Sequence, residues 1–130
     1  MALSIPLQPV KTHLESALRA LRDTSPTGAR DSIRESIHAV ESACCLQTGD
    51  ANDTLGKALN KLKGKIAIPE VLEQSLHKLY GFTSNADGVR HAIFDEPNLT
   101  LREARFMVVV CSAFVTYLWD LAIAAGLKSA

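Results

Sequence analysis

Arg90 and His91 stand side by side in residues 81–99, the least regular stretch of the chain. An arginine keeps its charge and can hold a phosphate through two hydrogen bonds, while a histidine can accept or donate a proton near neutral pH. Together these groups suit the cleavage of an RNA phosphodiester bond, so they are the candidate catalytic residues. Adjacent helical residues point about 100° apart, so one protomer cannot easily aim both at one phosphate.

A second candidate group, Arg34, His38 and Glu41, lies on a predicted helix, where these residues and Arg30 fall within an arc of about 80°. The arc borders the apolar stripe of that helix, so these side chains are placed to meet another helix. One interpretation is an ion-pair network that fixes helix docking, which is common for charges at these spacings. The other is a binding-pocket wall that faces Arg90 and His91. If this arc faces residues 81–99, we expect Glu41 to pair with Arg34 or Arg90.

Several motifs of other chemistries do not occur in the sequence, among them a glycine-rich phosphate loop, a nucleophile elbow and the zinc motif H-E-x-x-H. His13 and His77 each stand singly on a predicted helix, and we interpret both as surface or boundary residues. The carboxylate pair Glu70 and Glu73 is predicted to be exposed. The sequence therefore predicts neither a metal site nor a cofactor.

The composition is that of one globular domain of 130 residues, with a predicted core over about residues 9–126. The 14 basic and 14 acidic side chains cancel, so no overall field draws the chain to nucleic acid. The longest uncharged run, 106–119, is shorter than the ~18–20 residues of a membrane span, and the first ten residues lack a secretory signal pattern. We expect a cytoplasmic protein without a membrane partner.

The three cysteines, Cys44, Cys45 and Cys111, provide neither an even set nor a C-x-x-C spacing. A disulfide between the two neighbouring cysteines is unfavourable because its geometry needs more separated backbones. We interpret all three as buried free thiols in a reducing compartment.

Apolar residues recur with helical spacing along the chain, and no alternating strand pattern stands out. The pattern predicts an all-α bundle of about five helices. The predicted helices cover about residues 9–23, 29–49, 54–64, 69–81 and 100–126. Gly49, Gly81 and Gly126 are predicted stops, and Thr100 with Glu103 fits a capping box at the start of the last helix.

The last predicted helix is apolar around most of its circumference, whereas an outer helix needs an apolar face of only about 100°. It must lie at the centre of the bundle or be shared with a second copy of the chain. Its polar residues form one stripe: Arg102, Arg105, Ser112, Thr116 and Asp120. The predicted core residues are Phe106, Met107, Phe114, Tyr117, Leu118 and Leu121. The predicted homodimer interface consists of Phe114, Tyr117, Leu118 and Trp119.

These features, in this order, resemble the HEPN superfamily, and more closely the domain of AbiJ-like abortive-infection proteins and related uncharacterised bacterial proteins. The similar stretches are A-R-D-S-I-R-E-S-I-H-A-V-E-S (29–42), K-L-Y-G-F-T-S-N-A-D-G-V-R-H-A (78–92) and E-A-R-F-M-V-V-V-C-S-A-F-V-T-Y-L (103–118). The resemblance covers about residues 25–120, and the last stretch is its most specific part.

In active HEPN proteins an arginine, an adjacent polar residue and a histidine farther on cleave RNA without a metal, usually across a dimer. The resemblance assigns the first two roles to Arg90 and His91, whereas residues 95–97 read Asp-Glu-Pro and contain no histidine. It thus implies a non-catalytic defence module that dimerises and binds RNA, a nucleotide or another domain of a longer protein. The alternatives are a metal-independent ribonuclease and a helical adaptor without a ligand.

Overall fold

The computed structural model describes residues 8–23, 27–49, 52–83 and 100–126. Within these ranges the chain is helical and contains no β-strand, which confirms the predicted all-α bundle with a long apolar C-terminal helix. The five helices are α1 (Gln8–Ala20), α2 (Gly28–Thr48), α3 (Leu55–Leu62), α4 (Glu70–Thr83) and α5 (Leu101–Ala124).

Helix α2 is the centre of the described bundle, because α1 and α5 both pack chiefly against it and α3 and α4 also contact it. The predicted apolar stripe of α2 is entirely buried. Its residues are Ala29, Ile33, Ile37, Val40 and Cys44. This burial follows from their helical spacing, which places them on one side of α2. Helix α2, and not α5, therefore occupies the centre of the described bundle.

The helix ends follow local signals. Gly49 adopts φ +80° after α2, and its N–H donates to the Cys45 carbonyl. The hydroxyl of Thr54 accepts from the Lys57 N–H at the start of α3. Thr100 and Glu103 form the predicted capping box of α5. Each partner satisfies a backbone group that the helix itself leaves without a hydrogen bond.

The predicted stop at Gly81 is wrong, because α4 continues to Thr83. A glycine inside a helix costs about 1 kcal/mol relative to alanine, but it ends a helix only where the backbone turns left-handed. Gly49 and Gly126 have positive φ angles in the structure, whereas Gly81 does not. The amino-acid type alone therefore did not identify the helix end.

The turn between α1 and α2 brings two backbones close together at Gly28. A Cβ atom at this position would lie 2.3 Å from the carbonyl oxygen of Asp23. No side chain fits there without moving the backbone. Glycine at this position therefore allows α1 and α2 to lie close together at their connection.

Helix α5 has one buried and one exposed side. Its buried side consists of Ala104, Met107, Val108, Cys111, Val115, Leu118 and Ala122. On the opposite side Phe106 is 60% exposed and Val109 is 70% exposed. Phe106 therefore does not belong to the core of this chain, which leaves an interface with a partner as the other expected place for its burial. By length and apolar composition α5 is also able to cross a membrane, a property that core helices of soluble proteins share.

Candidate functional site

The predicted catalytic pair, Arg90 and His91, lies outside the described residues. Of the predicted binding residues, Arg34 donates from Nη2 to the Asp31 carboxylate over 2.8 Å, and Arg90, the other expected partner of Glu41, lies outside the described residues. Glu41 lies beside His38, with 3.9 Å between Oε1 and Nε2. The structure thus brings two of the three predicted binding residues together and places Arg34 in a separate ion pair.

His38 and Glu41 line an open pocket of about 450 Å³. The wall also includes His13 of α1 and Cys45 of α2, together with Asp53 from the connection to α3. The thiol of Cys45 donates to the Asp53 carbonyl over 3.3 Å, and the Asp53 carboxylate accepts from Lys61 over 2.7 Å. These bonds fix the connection to α3 against α2, so they hold this side of the pocket in place.

His13 is the functional candidate that the sequence interpretation missed. It occupies a half-buried boundary position, as expected, but it does not stand alone. Its Nδ1 lies 2.6 Å from Oε2 of Glu35 on α2. Its ring contacts that of His38 edge to face, with centroids 5.4 Å apart and planes at 70°. Donor atoms of His13, Glu35 and His38 all lie within 4.8 Å of one another.

The spacing Glu35-x-x-His38 is the one sequence signal that points to this cluster. Residues three apart on a helix share a face, so a carboxylate and an imidazole are presented together. The third member depends on how α1 docks on α2, and no local pattern contains that information. Chemically, the cluster offers two imidazoles for proton transfer beside a carboxylate that can orient one of them. The same three groups are also metal ligands.

All three cysteines are buried thiols outside any disulfide, as predicted. Burial raises the pKa of the Cys44 thiol to about 12, and the neighbouring Cys45 and Glu41 act in the same direction. Burial also raises the pKa of Cys111 to about 12. Because the thiolate is the nucleophilic form, neither of these two residues is suited to catalysis at neutral pH.

Not all of the predicted dimer residues are accessible to another molecule. Leu118 is 1% exposed and belongs to the core, so it cannot contact a partner in this fold. Phe114 and Trp119 are partly buried against that core, and Tyr117 is also partly buried. The large apolar side chains that α5 exposes most are Phe106 and Val109.

Glu73 departs from the expected exposed carboxylate pair, because it is 7% exposed. Its Oε2 lies 3.4 Å from Nζ of Lys63 and 3.4 Å from Nε2 of His77. Glu70, the other member of that pair, is exposed as predicted. Burial of Glu73 is compatible with its charge because a cation and an imidazole contact it.

Comparison with known proteins identifies no relative, since no family model, curated protein or solved structure matches this chain. The fold class therefore stands on the structure itself, and the resemblance to HEPN domains supports proposals only.

Proposed function

We propose that this chain is a HEPN-like helical module that forms a homodimer through the outer face of α5, without cleaving RNA. The outer face consists of Arg102, Arg105, Phe106, Val109, Ala113, Thr116 and Asp120. The observation that carries the proposal is the exposure of Phe106 and Val109, at 60% and 70%. Large apolar side chains exposed side by side on one helix face are typical of interaction surfaces.

The charge pattern of the outer face favours a second copy of the chain as the occupant. Arg105 lies in the first third of α5 and Asp120 in the last third, at similar distances from the small residue Ala113. A two-fold axis near Ala113 that pairs two α5 helices antiparallel sets Arg105 against Asp120 of the second copy. Twofold interfaces use one self-complementary patch in this way. The exposed Phe106 and Val109 then flank the axis and become buried.

The second part of the proposal concerns what the dimer binds. The pocket between α1 and α2, at about 450 Å³, falls in the size range of small-ligand sites. His38 and Glu41 supply polar groups in its wall. The HEPN resemblance supports RNA, a nucleotide or a partner domain as the occupant, within a bacterial defence system of the cytoplasm.

The dimer is tested by sedimentation and light scattering of wild type and two matched variants. Val109→Asp places a charge on the outer face, and Val71→Asp places one on α4 at a valine with 71% exposure. We expect wild type and Val71→Asp to be dimers at tens of micromolar and Val109→Asp to be a monomer. A wild-type monomer, or equal behaviour of the two variants, contradicts the proposal.

Charge reversal tests the antiparallel arrangement itself. Arg105→Asp and Asp120→Arg are each expected to weaken the dimer, because each sets like charges against one another. The double variant restores opposite charges and is expected to recover the dimer. Failure of the double variant to recover, with each single variant folded, means that another surface or another segment of the chain covers the outer face.

The alternative of a metal-independent ribonuclease is favoured by one observation, the contact of His13 with His38 in the pocket. Two imidazoles can act as general base and general acid in phosphodiester cleavage. The test is incubation of labelled RNA in EDTA with wild type and the alanine variants of His13, His38, Arg90 and His91. We expect no cleavage. If wild type cleaves the RNA and the folded histidine variants do not, the ribonuclease alternative replaces the non-catalytic proposal.

A further inference from the structure

We propose that His13, Glu35 and His38 form a site for a divalent transition-metal ion of the zinc type, which joins α1 to α2. Donor atoms of the three side chains lie within 4.8 Å of one another. Two imidazole nitrogens with one carboxylate oxygen match the donor set of zinc sites that keep one open position. Imidazole ligands also accept copper, nickel and iron, so the donor set defines a class of ions.

The distances require only small adjustments. Around a tetrahedral zinc ion with bonds of about 2.0–2.1 Å, the donor atoms lie about 3.4 Å apart. His13 Nδ1 and Glu35 Oε2 are closer than this, at 2.6 Å. Binding of an ion must therefore increase the distance between these two atoms by less than about 1 Å. The widest separation in the cluster is at most 4.8 Å. Shifts of this size need only small changes of side-chain torsion angles.

The side chains of the cluster are partly exposed to solvent. Those of His13 and Glu35 are 31% and 25% exposed, and that of His38 is 33% exposed. Residues of this kind are half-buried, so they are held near one another without being fixed by close packing on every side. Their exposure also gives an ion a path from solvent.

The backbone beneath the cluster is well held. Val10, Leu14 and Ala17 bury the inner side of α1, and Ser32 of α2 donates a hydrogen bond to the Ala17 carbonyl over 2.9 Å. Glu35 and His38 follow on the same helix at the spacing Glu-x-x-His. Helical bundles use this spacing to direct a carboxylate and an imidazole to one metal ion.

The neighbourhood of the cluster is suited to a cation. Glu41 lies 3.9 Å from Nε2 of His38, and a carboxylate beside the second nitrogen of a metal-binding histidine orients the ring. The proposed metal-binding atom of His38 is therefore Nδ1. The carboxylates of Glu35 and Glu41 together balance the two charges of the ion. Three protein donors leave a coordination position for water or a small anion, and His13 and His38 open on the pocket.

Without a metal, the same side chains form a His13–Glu35 hydrogen bond and an edge-to-face contact of two imidazoles. The experiment must distinguish this arrangement from a metal site. The whole chain is treated with EDTA, freed of the chelator and titrated with zinc chloride by calorimetry. A parallel titration with cobalt chloride is followed by visible absorption, which reports the coordination geometry.

We expect one ion per chain and a cobalt spectrum of a tetrahedral site with nitrogen and oxygen ligands. His13→Ala, Glu35→Gln and His38→Ala are each expected to weaken zinc binding at least tenfold. The matched control is His77→Ala, because His77 also lies beside a carboxylate, with 3.4 Å between its Nε2 and Oε2 of Glu73. This control is expected to bind zinc as wild type does.

A second readout separates metal binding from a structural role of the cluster. Zinc is expected to raise the unfolding temperature of wild type and of His77→Ala, because the ion binds the folded chain. Glu35→Gln, which keeps the side-chain size, is expected to fold and to show no such rise. Wild type that binds no zinc at micromolar concentrations, or zinc binding that survives in folded Glu35→Gln and His38→Ala, overturns the proposal.

Discussion

The hydroxyl of Ser32 donates a hydrogen bond to the carbonyl oxygen of Ala17, with 2.9 Å between the two oxygens. Ser32 lies inside α2 and is fully buried, while Ala17 belongs to the last turn of α1. The bond therefore connects the two helices that carry His13, Glu35 and His38. The Ala17 carbonyl also accepts from the Leu21 N–H over 3.2 Å.

Ser32→Ala is expected to lower the free energy of unfolding by about 1 kcal/mol, because one buried hydrogen bond is lost while the carbonyl keeps its other donor. Ser75→Ala is the matched control, since its hydroxyl bonds to the Val71 carbonyl on the exposed side of α4. Urea unfolding of both variants checks the prediction. Equal losses in the two variants show that the interhelical bond adds no stability.

Glu73→Ala is expected to lower the free energy of unfolding by about 1–2 kcal/mol, because Lys63 and His77 both lose the buried carboxylate that contacts them. The loss stays below that of a fully buried ion pair, since the side chains of Lys63 and His77 are 52% and 39% exposed. Glu70→Ala, in the same first turn of α4 but exposed, is the control and is expected to cost less. A comparable cost in Glu70→Ala assigns the effect to the charge of the helix start.

The capping box of α5 is expected to make stability depend on pH in the acid range. The Glu103 carboxylate accepts from the hydroxyl of Thr100 over 2.6 Å and from its N–H over 2.8 Å. These two bonds hold the pKa of Glu103 below its usual 4.5, and the bond from the hydroxyl has the larger effect. A pKa lowered by folding stabilises the protein above pH 4.5, and this contribution is lost as the pH falls through the folded value.

Glu103→Gln removes the titrating group and keeps an acceptor. At pH 7 this variant is expected to have a lower free energy of unfolding than wild type. The difference is expected to shrink below pH 4.5. Thr100→Ala removes the first cause of the pKa shift and is expected to cost about 1 kcal/mol at pH 7. Denaturant unfolding between pH 3 and pH 7 measures both. A difference that does not change with pH shows that the charge of Glu103 does not contribute to the stability of the capping box.

Cys44 and Cys111 are expected to resist alkylation by iodoacetamide at pH 8 in the folded protein and to react on unfolding in urea. Burial raises the pKa of each thiol to about 12, so the reactive thiolate is scarce and the sulfur is inaccessible. Mass spectrometry of labelled peptides assigns each site. Rapid labelling of Cys44 without denaturant means that α2 opens locally at this position.

The same two thiols predict a loss of stability at alkaline pH. Folding raises their pKa from 9.0 to about 12, so their contribution is complete below pH 9 and is lost as the pH rises toward 12. The double variant Cys44→Ala, Cys111→Ala removes both titrating groups. Its unfolding free energy is expected to fall less between pH 9 and pH 11 than that of wild type.

Local patterns in the sequence were sufficient to predict the helices and most of their ends. The buried arc of α2 follows from its 3.6-residue period, and the caps at Thr54 and Thr100 involve partners within three residues along the chain. Interactions of this range are encoded in a short segment, whatever the rest of the chain does. Gly81 shows the limit of this reasoning, because whether a glycine ends a helix depends on the backbone conformation around it.

The exposed side of α5 was not predictable from its composition. Phe106 and Leu118 are both large apolar residues on a helix that is apolar nearly all round, yet one is 60% exposed and the other 1%. The difference arises because α5 packs on α2 along one side. The polar stripe that contains Arg102, Arg105 and Asp120 does lie on the exposed side, but it does not show that Phe106 is exposed beside it.

The sequence by itself determined the all-α class and the amphipathic face of α2. Tertiary structure decided that His13 lies beside Glu35, 22 residues farther along the chain. This contact depends on the rotation and crossing of α1 on α2, which are set by the packing of Val10, Leu14 and Ala17 and by the close turn at Gly28. Such long-range geometry results from many packing contacts at once, so no spacing in the sequence encodes it.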